Sequence, residues 1–252
     1  MQFVFDLDGT LIFEGKRMSE NITNTLLGLQ TAGHTVTFAS ARSIRDMLPV
    51  LDQRLVDARL ISANGAVIWE QRQLRRFVGI DTDTFARVQS LLHSIGATYL
   101  VEASTDYAIV GNDAEPYLPS YVHLEEATAK NVDELPFIGK ILVLDCQDPT
   151  PLLEAIPTMN VTRHRHQGEA RFDLTAKNVS KHQAFQSVCV EEFVVFGNDL
   201  NDVPLFIQAN HSVIVGDFPP VHIHANEQVP ITSRTEAALV ESIQKLAEKY
   251  GT

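Results

Sequence analysis

A chain of 252 residues, 44% of them hydrophobic, is long enough for one large domain or two smaller ones and apolar enough for a packed core, which excludes a disordered protein. Its 32 acidic residues against 20 Lys and Arg leave a formal net charge of -12, so no bulk attraction draws it to nucleic acid or to an anionic membrane. An anionic ligand therefore needs a local cationic site or a metal ion.

The two cysteines, Cys146 and Cys189, lie far apart in no metal-binding spacing and read as free thiols. The run MQFVFDLDGT turns acidic after a few apolar residues, unlike a signal peptide, and no apolar run reaches membrane-spanning length. A cytoplasmic protein is expected.

Residues 3–5 predict a short apolar strand. An amphipathic helix over 19–30 follows, with Ser19 as N-cap and Gly33 as stop, then a strand over 35–39 and a helix over 43–51. This alternation predicts βαβ units and a parallel sheet. From about 78 to about 166 the texture changes to a helix over 84–95, alternating strands over 98–102 and 107–110, an acidic stretch and a strand over 140–144. The first pattern then resumes: helix 179–190, strand 193–196, helix 202–209, strand 212–215 and a terminal helix 234–250. The expected fold is α/β, a doubly wound parallel sheet assembled from 1–77 and 167–252 and interrupted by an α+β insertion at 78–166.

The strongest chemical signal is Asp6-Leu7-Asp8-Gly9-Thr10, directly after the first strand. In open α/β sheets ligands bind beyond the carboxyl ends of the strands, where this pentapeptide would lie. Carboxylates at i and i+2 can converge on one reacting group, and Gly9 lets backbone N–H groups approach an anion. Three further segments sit at comparable places: Ala39-Ser40-Ala41-Arg42 after a strand, Asn178-Val179-Ser180-Lys181 at a helix start, and Phe196-Gly197-Asn198-Asp199-Leu200-Asn201-Asp202 after another strand. Ile61-Ser62-Ala63-Asn64-Gly65-Ala66 adds a turn signal just before the insertion. His164, His166, His222 and His224 stand at i, i+2 spacings, but no cysteine or carboxylate shares that spacing, so they do not read as a metal site.

With these segments the whole chain resembles the haloacid dehalogenase superfamily, in its Cof-type branch, subfamily IIB, which has a Rossmann-like core and an α+β cap. The resemblance implies a magnesium-dependent phosphatase of small phosphate monoesters, sugar phosphates above all. Asp6 would be the nucleophile, forming an aspartyl-phosphate, and Asp8 the general acid and base. Ser40, Lys181 and Asn201 would hold the phosphoryl group. Magnesium would be bound by Asp6, Asp8, Asn198 and Asp202, and Arg42 and Asn64 are candidates for substrate contact. Three positions depart from the family pattern: Ala41 and Asn178 stand where glycine is commoner, and Asn198 where the family has Asp. Asn can ligate magnesium through its amide oxygen but removes one negative charge, which leaves Asp199 as the alternative ligand. Asn also tolerates positive φ, so the turn at 178 can survive. The expected partner is a small phosphoester, with neither nucleic acid nor membrane, for a monomer or homodimer. A phosphosugar mutase and a catalytically weakened phosphometabolite-binding regulator are the alternative readings.

Overall fold

The computed structural model describes residues 1–111, 130–165, 171–189 and 191–251; most of the expected acidic stretch, and His166, lie outside them. The first part of the chain forms β1 (Gln2–Phe5), α1 (Glu20–Thr31), β2 (Thr35–Ala39), α2 (Ile44–Met47), β3 (Arg59–Ser62), β4 (Val67–Glu70) and β5 (Gln73–Phe77). The middle forms α3 (Thr82–Ser94), β6 (Thr98–Glu102), β7 (Tyr107–Val110), β8 (Lys140–Asp145), α4 (Thr150–Ala155), β9 (Val161–Arg165) and β10 (Phe172–Ala176). The last part forms α5 (Lys181–Gln186), β11 (Phe193–Gly197), α6 (Val203–Gln208), β12 (His211–Val215), α7 (Pro219–His222), β13 (Glu227–Val229) and α8 (Thr235–Tyr250).

Two sheets result. The larger has the order β13-β12-β11-β1-β2-β3-β4-β5, parallel from β13 to β3 and closed at one edge by the antiparallel pair β4 and β5. Its central strands β12, β11, β1 and β2 are buried on both faces, which is why they read as continuous apolar runs. Phe3, Phe5, Val194, Phe196, Val213 and Val215 join one hydrophobic cluster, with Leu26 and Leu29 of α1 and Leu239, Ile243 and Leu246 of α8. Their alternates Val4, Phe193, Val195 and Ile214 face the other side, against Phe185 of α5 and Leu205 and Phe206 of α6. Helices therefore cover both faces, the doubly wound arrangement of an α/β fold. The smaller sheet, β7-β6-β8-β10-β9, is antiparallel throughout. Tyr99, Val101, Ile141, Val143 and Leu174 on one of its faces pack with Val88 and Leu92 of α3 and Leu152 of α4.

Differences from the expected elements have local causes. The hairpin of β4 and β5 turns on Gln71 and Arg72, both at positive φ, so its primed turn carries no Asn-Gly signal. The smaller sheet continues past residue 166, the expected end of the insertion, because β10 belongs to it. In β10, Asp173 and Thr175 alternate with Phe172 and Leu174, and an inward-facing carboxylate hides the strand pattern. The helix expected over 179–190 ends at Gln186. The one expected over 43–51 tightens at Leu48–Val50 into a 3-10 turn, where Pro49 offers no N–H. Among the described residues no helix is long and apolar enough to cross a membrane.

Leu246 is fully buried between α8 and the large sheet, away from the carboxyl ends of the strands. Leu246→Ala is expected to lower the unfolding free energy by about 2–5 kcal/mol in urea denaturation, while the folded variant keeps its ligand-binding properties.

Candidate active site

The site lies beyond the carboxyl ends of β1, β2, β3 and β11. The β1–β11 ladder runs on to the Asp6 amide, which donates to the Phe196 carbonyl at 2.9 Å, so Asp6 leaves the sheet in a fixed direction. The chain then hooks around the Leu7 carbonyl, which accepts from the amides of Thr10, Leu11 and Ile12 at 3.2, 2.9 and 2.8 Å. Gly9, at φ +75°, closes the hook; a Cβ there would strike the Asn198 side-chain amide. Thr10 Oγ1 donates to Asn198 Oδ1 at 3.4 Å, so Asn198 is packed against the loop that carries both aspartates.

Lys181 is the centre of the charge arrangement. Its side chain is 1% exposed, and Nζ donates to Asp6 Oδ1 and to Asp202 Oδ1, each at 2.7 Å. Three features of the sequence bring it there. Asn178 takes φ +62°, turning the chain after β10 as its residue type allows. Ser180 then caps α5 by accepting from the Gln183 amide at 3.1 Å, which makes Lys181 the first helical residue. Gly65, with φ +104°, lets the Ser180 carbonyl approach where any Cβ would collide.

Burial raises the Asp6 carboxyl to about 7; Lys181 pulls it down, while Asp202 and Asp8 push the same way as burial. Burial lowers the Lys181 ammonium, but Asp202 and Asp6 outweigh it and raise its pKa overall. Asp202 is also fixed on its other oxygen, since Oδ2 accepts from the amides of Asn198 and Asp199 at 3.0 and 3.2 Å. Gly197 is glycine because a Cβ would come within 2.5 Å of that oxygen.

The other expected residues take distinct places. Asp8, whose side chain is 51% exposed, is gripped at both oxygens by Arg42: Nε to Oδ2 at 2.7 Å and Nη2 to Oδ1 at 2.6 Å. Arg42, expected against substrate, is thus engaged with Asp8, and its Nη1 donates to the Asp46 carbonyl at 3.1 Å. Ser40 is buried, with Oγ accepting from the Arg42 amide at 3.1 Å. Asn64 is fully buried. Its amide donates to the Ser40 carbonyl at 3.0 Å, its Nδ2 to Asp173 Oδ2 at 2.7 Å, and its Oδ1 accepts from Asn201 Nδ2 at 3.0 Å. Asp199 turns its Oδ1 onto the Leu200 amide at 2.7 Å, capping the Leu200–Asp202 turn. Among the described residues no three or more His, Cys, Asp or Glu side chains gather to hold a metal. Of the implied magnesium set, Asp202 has both oxygens engaged, by Lys181 and by the amides of residues 198 and 199, which leaves the Asp6 carboxylate, the Asp8 main-chain carbonyl and the Asn198 amide oxygen, all hard oxygen donors that suit the ion.

A second set of charged residues reaches this region from the smaller sheet and was not anticipated: Glu102, Lys140 and Asp173, with Arg45 of α2 opposite them. Arg45 donates to Asp46 and Glu102, Lys140 pairs with Glu102 at 2.6 Å, and all are nearly or fully buried. A lone charge beside apolar strand neighbours is the signal that could have marked each one. His164 bonds Thr175 Oγ1 within the smaller sheet at 2.8 Å, and His222 lies 3.5 Å from Asp217, apart from the site.

A family model described as haloacid dehalogenase-like hydrolase matches residues 3–242. The chain belongs to the haloacid dehalogenase-like hydrolases. Among curated relatives, a phosphatase-named protein of Metamycoplasma hominis is 23% identical over 87% of this chain and 86% of its own. An HMP-PP phosphatase of Escherichia fergusonii is 38% identical over 61 residues, 24% of this chain and 22% of that one. Among solved structures, the HAD subclass IIB sugar phosphatase BT4131 superposes with a TM-score of 0.79 at 17% identity over 97% of this chain and 98% of that one. SMU.1108c of Streptococcus mutans reaches 0.82 at 17% identity, over 98% of each chain. At such identities the likeness is one of fold.

Removing the shared cation strands two buried carboxylates. Lys181→Met is expected to lose about 3–5 kcal/mol of stability in guanidinium denaturation, recovered in part when Asp202→Asn is added.

Proposed function

We propose that this haloacid dehalogenase-like phosphatase cleaves small phosphate monoesters, sugar phosphates first among them, through an aspartyl-phosphate on Asp6. The observation that carries the reading is the buried Lys181 ammonium shared between Asp6 and Asp202, with Asp8 two residues further on at the mouth of the site. Such a cation holds a carboxylate ready to attack and offers positive charge to an incoming phosphoryl dianion.

In this scheme Asp6 attacks phosphorus in line with the leaving oxygen, and Ser40 and Lys181 hold the equatorial oxygens. Asp8, once released by Arg42 and protonated, donates its proton to the leaving alkoxide. It then takes a proton from the water that cleaves the phospho-Asp6 bond, which returns Asp6 as a carboxylate and liberates inorganic phosphate. The bidentate grip of Arg42 holds Asp8 in place until substrate competes for one of the two. Asp6, the Asp8 carbonyl and Asn198 would hold magnesium, which supplies charge neutralisation at the phosphoryl oxygens. Asp202 serves this group from behind, through Lys181 and through the amides of residues 198 and 199. Asn201 steadies Asn64, and Asp199 shapes the loop as a cap. The division of labour between a core and a cap belongs to the same proposal; because β10 pairs within the smaller sheet, the cap runs from about 78 through Ala176, past the expected 166, and the core of 1–77 resumes after it.

Release of inorganic phosphate from a panel of phosphorylated metabolites is the primary test, and product analysis separates hydrolysis from isomerisation by a mutase. Asp6→Asn is expected to abolish release; retained turnover would sink the nucleophile assignment. Chelation should stop the reaction and magnesium restore it. Asn198→Asp should lower the magnesium concentration for half-maximal rate, whereas Asp199→Ala should keep the metal dependence and lose about 0.5–2 kcal/mol of stability as a missing cap. Loss of activity in the Asp199 variant alone would move the ligand to that residue.

A further inference from the structure

The loop that carries Ser40 and Arg42 is held by its carbonyls. Ser40 O accepts from the Asn64 amide at 3.0 Å and Arg42 O from the Ala63 amide at 2.7 Å. Both donors belong to one turn of the large sheet, in which Ala63, Asn64 and Gly65 all take positive φ. Of these only Ala63 has a side chain that tolerates the conformation poorly, since Asn64 and Gly65 adopt it readily, so the turn holds its shape at Ala63 because its neighbours demand it. The middle carbonyl, of Ala41, is reached by neither. It accepts from Lys140 Nζ at 2.9 Å, and Lys140 is the first residue of β8 in the smaller sheet.

Lys140 is 5% exposed and itself tightly surrounded. Glu102 Oε2 lies 2.6 Å from its ammonium and Asp173 Oδ1 3.8 Å. Glu102 also accepts from Arg45 Nη2 at 2.6 Å, and Arg45 lies over the Tyr107 ring, 4.9 Å from its centre. Burial works against the ammonium, but Asp173 and Glu102 more than compensate and keep it charged. A buried cluster of this kind is a weak source of stability compared with apolar packing of the same volume, so its placement calls for another reason. The reason available here is geometric: the cluster sets one donor on the single loop carbonyl that the large sheet leaves unmet.

We infer that Lys140 is a positioning residue: its ammonium, delivered by the smaller sheet, completes the hydrogen-bond clamp on residues 40–42, so the phosphate-binding loop is fully set only while the two sheets are docked. The catalytic part of this inference rests on the proposed role of Ser40, whereas the clamp is a property of the loop alone. Phosphoryl transfer then becomes conditional on closure, because a loop with one free carbonyl can tilt Ser40 and let Arg42 shift on Asp8.

The test compares native-state amide exchange and turnover of p-nitrophenyl phosphate in wild type, Lys140→Met, Lys140→Arg and the double variant Lys140→Met/Glu102→Gln. The double variant removes one charge of each sign and leaves Arg45 with Asp46, so it folds without a stranded carboxylate at position 102. Loss of one hydrogen bond from a charged donor is expected to speed exchange at Arg42, Ala63 and Asn64 by about 10- to 100-fold. Exchange in the middle of β2 and β3 should stay as in wild type. The rate constant kcat is expected to fall by about 10-fold or more with little change in KM, and Lys140→Arg should recover part of it. Unchanged exchange at those three amides in both methionine-bearing variants would overturn the inference. So would faster exchange spread evenly through β2 and β3, which would make Lys140 a support of the fold only. If wild type releases no phosphate but the exchange pattern is as expected, the hydrolytic reading fails and the clamp stands.

Discussion

The arrangement depends on one buried cation between two carboxylates. Lys181 touches Asp6 and Asp202 at equal distances, and the chain accommodates that contact at several remote points. Gly197 gives Asp202 room, Gly65 gives the Ser180 carbonyl room, and Asn178 makes the turn that delivers α5. The pairing of β1 with β11 fixes the two acidic loops side by side, since Phe5 lies opposite Phe196. Moving any of these by one residue would leave an uncompensated charge in an apolar surround, which is far costlier than a lost contact.

Much of this was legible in the sequence because it is local. Each motif sits at the end of a strand or the start of a helix; Asp6 and Asp8 stand out by spacing and type, and Ser40, Lys181 and Asp202 follow from the family resemblance of their segments. The roles of their partners are not local, and those were harder to see. Arg42 reads as a substrate contact, yet it holds Asp8, a residue met only after the sheet folds. Asp199 and Asn198 are equivalent candidates in a linear string, and only the turn geometry shows Asp199 facing its own loop. Glu102 and Lys140 lie at strand ends, where a charge usually means solvent, and their buried state follows from a second sheet docking over them. The same effect hides β10, whose inward polar residues break the expected pattern.

The contact between the sheets is accordingly polar where it meets the site: Arg45 with Glu102, Lys140 with Ala41, and Asn64 with Asp173. Hydrogen bonds and ion pairs of this kind exchange with water more readily than an interdigitated apolar seam. A joint built from them can open and close without exposing large apolar surface, which suits the phosphoester cleavage proposed above.

The central position of β1 has a consequence for how the protein is made. Its neighbours are β2, which follows at once, and β11, which begins only at Phe193. On a ribosome adding about 5–20 residues per second, β1 waits on the order of tens of seconds with one edge unpaired. In that interval the whole smaller sheet, continuous from Thr98 to Ala176, emerges and can complete itself. The insertion can thus reach its final form before the sheet that it interrupts, and the last segment of the chain must find an apolar edge already exposed to solvent.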